Sequence, residues 1–82
     1  MTRVLRPPKR VGVVLSDAGD PTRVKVGDYY EPVNIIEQWR VDERWWHTPI
    51  DRSYVKVMGE SWIVLIFQDL FTGDWFLERI FD

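Results

Sequence analysis

Residues 61–68 read Ser61-Trp62-Ile63-Val64-Leu65-Ile66-Phe67-Gln68, six consecutive apolar side chains between two polar ones. In an extended chain, successive side chains point to opposite faces, so Trp62, Val64 and Ile66 share one face and Ile63, Leu65 and Phe67 the other. A strand that is apolar on both faces has to be covered on both sides, and it cannot easily stand at a sheet edge. The run is far too short to span a membrane. It predicts an internal strand, the most buried in the protein, and makes the fold a question of which strands surround it.

Outward from this strand the apolar period stays near two, with turns where it stops. On the C-terminal side, Asp69 to Asp74 predicts a longer turn with Gly73 in the left-handed position, and Trp75 to Phe81 a final strand. On the N-terminal side, Gly59-Glu60 predicts a tight turn back to a strand over Ser53 to Met58. Further upstream, Arg10 to Leu15 alternates Val11, Val13 and Leu15, and Ser16 to Pro21 has the composition of a loop. Thr22 to Val26 places Val24 and Val26 on one face, and Gly27-Asp28 fits a two-residue hairpin. Tyr29 to Val41 keeps one apolar face, with Ile36 out of phase, so a bulge or a short helical turn is expected there. Asp42 to Arg52 contains Trp45-Trp46-His47-Thr48-Pro49 and reads as an ordered loop, because Pro49 would interrupt a central strand.

The expectation is an all-β fold: about six short antiparallel strands in a meander that closes as a small barrel or folds into two packed sheets. Residues 1–8, with Pro7-Pro8, read as a basic arm, and residues 9–82 as a single small β domain. A chain of 82 residues leaves no room for a second domain. Aromatic residues make up 15% of it and include five Trp, which is enough ring area to fill a small core.

The sequence has no cysteine, which excludes a disulfide framework, thiolate metal sites and thiol nucleophiles, and it points to a reducing, cytoplasmic setting. No apolar stretch suits a leader or a membrane span, so no membrane partner is expected. The net charge of −2 hides an asymmetry: Met1 to Lys25 holds six Lys/Arg against two Asp, whereas Val26 to Asp82 holds five against eleven acids. A basic first third suits a phosphate backbone or an acidic protein surface, and solubility alone also explains it.

Catalytic groupings are scarce. His47 is the single imidazole, and neither Thr48 nor Ser53 beside it belongs to a nucleophile motif. The acids Asp42-Glu43 and those of the Asp69 to Asp74 turn read as solvated. Asp17, Gly19 and Asp20 fall short of an oxygen-ligand calcium loop, and there is neither zinc spacing nor a phosphate-cradling glycine loop. The expectation is therefore a protein that is not an enzyme and takes no metal or cofactor. What stands out is Trp39-Arg40-Val41-Asp42-Glu43-Arg44-Trp45-Trp46-His47, where rings and guanidinium groups interleave. Rings stack on bases and Arg contacts phosphate, although the same Trp side chains would also serve as core plugs. Trp39, Arg40, Arg44, Trp45, Trp46 and His47, with Arg23 and Lys25 from the basic third, form the candidate partner-binding set.

One longer pattern joins these residues. Pro32-Val33, Ile36-Glu37-Gln38-Trp39-Arg40, Arg44-Trp45-Trp46, Arg52, Tyr54, Val57, Asp69-Leu70, Thr72-Gly73-Asp74-Trp75-Phe76-Leu77 and Arg79 to Asp82 follow one another from about Pro21 onward. Together they resemble a small Trp-rich bacterial domain found alone or at the C-terminal end of ImuB-like, Y-family-related polymerase proteins of the mutagenic DNA-damage response. The resemblance implies an accessory role around translesion DNA synthesis and brings no catalytic residue with it. The function expected is a non-catalytic adaptor that docks on a protein or nucleic-acid partner. The alternative is a structural module that homodimerises or completes a protein complex without touching nucleic acid.

Overall fold

Eight strands are formed by residues 2–45 and 48–81, the part of the chain that this computed structural model describes. They are β1 (Thr2–Arg10), β2 (Val13–Leu15), β3 (Pro21–Val26), β4 (Tyr29–Pro32), β5 (Asn34–Trp45), β6 (Thr48–Met58), β7 (Ile63–Asp69) and β8 (Trp75–Phe81). All pairings are antiparallel and build two sheets, one in the order β1-β8-β7-β6-β5 and one in the order β2-β3-β4. Of the two expected architectures, the packed sheets are formed and the closed barrel is not, since β1 and β5 end the larger sheet on opposite sides.

β7 is the middle strand of five, and both of its faces are used. Val64 and Ile66 join Val55 and Val57 of β6 under Val24 of β3 and the buried Val33, with Val13, Leu77 and Ile80 packed around them. This is the core between the sheets, and Ile66 and Val57 have no solvent exposure at all. On the other face Leu65 and Phe67 join Tyr54, Val41, Phe76 and Phe81, every one of them from the larger sheet.

The chain passes between the sheets at two corners, and both divide what the sequence pattern shows as one strand. At Val11-Gly12 the Val11 N–H donates to Trp75 O of the larger sheet at 3.1 Å, while Gly12 O accepts from Lys25 N–H of the smaller at 2.8 Å. At Val33 the N–H donates to Thr22 O at 3.0 Å, so Tyr29 to Val41 is β4 of one sheet followed by β5 of the other. Apolar alternation continues through the first corner because Val11 and Val13 pack on the same core, and so it cannot mark the change of partner. Beyond the second corner, Ile35 pairs with Val57 and Glu37 with Lys56, which leaves Ile36 as the extra residue of a bulge.

Three further expectations are corrected. Asp42 to Trp45 and Thr48 to Arg52 are strand where a loop is expected: the β5–β6 ladder runs without a break from Glu37↔Lys56 to Trp45↔Thr48. Pro49 is accommodated because β7 stops pairing at Arg52↔Asp69, so that end of β6 has a neighbour on one side only. The Gly59-Glu60 turn is longer than two residues, with Met58 paired to Ile63 and Gly59 N–H donating to Trp62 O at 2.8 Å. Gly59 serves a close approach, since a Cβ there would strike the Glu31 carboxylate and the Trp62 ring. Glu31, only 5% exposed, accepts Glu60 N–H at 3.1 Å and Tyr29 O–H at 3.4 Å, which ties β4 to the β6–β7 turn. Finally, where an arm is expected over residues 1–8, Thr2–Arg10 is an edge strand on β8. Its register breaks between Val4 and Lys9, the stretch that holds Pro7-Pro8, which cannot donate ladder hydrogen bonds.

Candidate functional site: a cationic cleft between the sheets

Beside the Val11-Gly12 corner the two sheets leave a cleft of about 570 Å³. Its deep part is apolar: Val24 and Val64 are buried, and Leu77, Ile80 and Trp62 half-buried. The exposed lining residues are of another kind, with Arg3, Lys9 and Arg10 from β1 and Lys25 from β3. No carboxylate belongs to the described lining. Arg10 is neutralised by Asp74 at 3.1 Å, whereas no ion pair among the described residues involves Arg3, Lys9 or Lys25. Topology explains the concentration of charge. The basic first third of the sequence is β1 to β3, and β1 and β3 stand on either side of this opening.

The residues selected from sequence are dispersed. Lys25 lines the cleft, and Arg23, two residues back on β3, is exposed outside it. Trp39 and Arg40 lie on opposite faces of β5 because strand alternation separates them. Trp39, 40% exposed, stacks on Tyr54 with ring centroids 5.5 Å apart and planes 4° from parallel. Arg40 instead forms a two-pronged contact with Asp51, Nε to Oδ1 at 2.9 Å and Nη2 to Oδ2 at 2.8 Å. That hydrogen-bonded pairing holds the Asp51 carboxyl below the ordinary aspartate range and the Arg40 guanidinium above its own. Arg44 approaches Asp42 at 3.8 Å, and Trp45 ends β5 opposite Thr48. Trp46 and His47 lie outside the described residues. The interleaved ring–guanidinium surface expected over Trp39 to His47 is therefore not assembled by its described members.

A ring–guanidinium arrangement does exist elsewhere, on the face of the larger sheet that no other element covers. Tyr54, Phe67 and Phe76 follow Trp39 across β6, β7 and β8, with centroids 5.2 and 5.3 Å apart along the row. Arg52 lies over Phe67 at 4.3 Å and Lys56 over Phe81 at 4.6 Å. Phe67 and Phe81 are covered by these cations and Phe67 is only 2% exposed, so these two rings offer little free surface for stacking, while Trp39 at the end of the row stays 40% exposed.

Arg3, Lys9 and Trp62 are the site residues that sequence reasoning passed over. The signal for Arg3 and Lys9 was the basic first third, whose target is visible only once β1 is known to lie beside β8, and Trp62 was read only as part of the buried strand. Within the larger sheet β8 lies between β1 and β7, so the β7–β8 pair is internal and the edges belong to β1 and β5. No described helix is long and apolar enough to cross a membrane. Comparison with protein families, with curated proteins and with solved structures finds no match.

Proposed function

We propose that this chain is a non-catalytic binding module, an adaptor that holds its partner in the cleft between the two sheets. The observation that carries the reading is the lining itself, an apolar floor under exposed cations with no carboxylate among the described lining residues. Such a surface supplies contact area and long-range attraction to an anionic partner. A place beside translesion DNA synthesis follows from the sequence resemblance, and the cleft is the part of the molecule through which an accessory of that kind would act.

The test is where binding maps. Isotope-labelled protein is titrated with single-stranded DNA, primer–template DNA and polyglutamate, each at low and near-physiological salt. The expected shifts fall on Val11, Lys25, Trp62 and Leu77, and they weaken as salt rises. Shifts confined to the β5–β6 hairpin around Trp39 and Arg44 would overturn the cleft and restore the surface first read from sequence.

A further inference from the structure

Resting on the cleft as the binding site, we infer that its occupant is a short acidic peptide segment of a partner protein, anchored by one or two large apolar side chains. Charge, spacing and floor chemistry select it together. Arg3 stands opposite Ile80 and Lys9 opposite Leu77. Those partners are three residues apart on β8, about 10 Å at the usual strand rise. Lys25 adds a third cation from the other sheet. A single carboxylate or phosphate headgroup satisfies one of these positions, whereas carboxylates repeated along an extended peptide reach all three.

The floor separates peptide from nucleic acid. Val24, Val64, Leu77 and Ile80 are aliphatic, and Trp62 is the one ring among the described lining residues. Aliphatic side chains receive Leu or Phe by simple contact, while single-stranded nucleic acid gains its sequence-independent hold by stacking each base on a ring. Here a strand would be left with phosphate attraction and at most one ring to stack on. The volume of about 570 Å³ admits a few side chains and no folded element.

The probe is a fluorescein-labelled peptide of roughly a dozen residues with Glu alternating around a central Leu-Phe pair, long enough to pass both β1 cations. Anisotropy is measured beside three comparisons: the Leu-Phe pair changed to Ala, all Glu changed to Gln, and labelled oligothymidine of similar length. Oleate is added as a competitor. Saturable binding is expected, weakened roughly thirtyfold by losing the anchors, the loss typical of truncated buried anchors. Lys9→Gln/Lys25→Gln should weaken it about tenfold, while Lys56→Gln on the uncovered face leaves it unchanged. Equal binding of the anchorless peptide, or a cleft that takes oligothymidine or oleate in preference, overturns the peptide and leaves the cleft as a site for another class of ligand. Shifts mapping away from the cleft with every probe would remove both readings.

Discussion

On one face of the larger sheet Val55, Val57, Val64 and Ile66 lie beneath a second sheet, while on the other Tyr54, Leu65 and Phe67 lie beneath side chains of their own strands. Both solutions exclude water, and they leave different surfaces. A separate layer has corners, and where the chain turns from one sheet to the other at Val11-Gly12 it leaves room for a ligand. Side chains folding over their own sheet leave no such room, because Arg52 and Lys56 lay their charged groups over the Phe67 and Phe81 rings. A domain of this length has little chain for a third layer, and long amphipathic side chains do that work at no cost in residues.

The comparison can be broken at its strongest point by Ile66→Ala, at the centre of the layered face. Ile66 has no solvent exposure, so the truncation should cost about 2–5 kcal/mol, read from urea denaturation midpoints. A loss below about 1 kcal/mol would mean that the smaller sheet does not pack as a true second layer. A smaller effect belongs to Tyr54→Phe on the uncovered face. The Tyr54 hydroxyl accepts from Arg52 Nη1 at 3.1 Å and donates to Glu78 Oε1 at 3.3 Å, so its removal should cost roughly 1 kcal/mol. No change in the same denaturation experiment would show that ring contact alone closes that face. The smallest effect concerns Asp51, whose folded pKa is lowered by its hydrogen bond with Arg40. Stability from a lowered carboxyl is present above the unfolded value, near pH 4, and is lost as pH falls through the folded one. The melting-temperature advantage of the native chain over Asp51→Asn should therefore hold from neutral pH down to about pH 4 and shrink below it as the folded carboxyl takes up its proton. An advantage that persists at the acid end would mean the Asp51–Arg40 contact is not its source.

What could be read from sequence was whatever burial imprints on neighbouring residues. The doubly apolar run at 62–67 belongs to a central strand, and Gly27 and Gly73, with φ of 62° and 82°, sit in turns that need them. Residues 42–45 and 48–52 were not legible as strand because the β5–β6 ladder runs past the end of β7, so exposed Asp42, Glu43 and Arg44 there show no apolar period. The corner at Val11-Gly12 was hidden for the opposite reason, since Val11 and Val13 share one core and keep the period unbroken, and the corner at Val33 because the Ile36 bulge carries the apolar series on to Trp39 and Val41 of the other face. The cleft was least legible of all. Lys25 was singled out for its charge, but its relation to Arg3 and Lys9 depends on a pairing between the two ends of the sequence that no local pattern encodes.

That pairing also sets an order of events. Thr2 meets Phe81 and Arg3 meets Ile80, contacts of very long sequence separation that pay their loop-closure entropy late in folding. While the chain is being synthesised, β2 to β4 and then β5 with β6 have their partners at hand, but β1 waits until β8 emerges. One bank of the cleft is therefore laid down late, and a partly folded copy that has not yet paired β1 with β8 carries its positive charge without a pocket to present it.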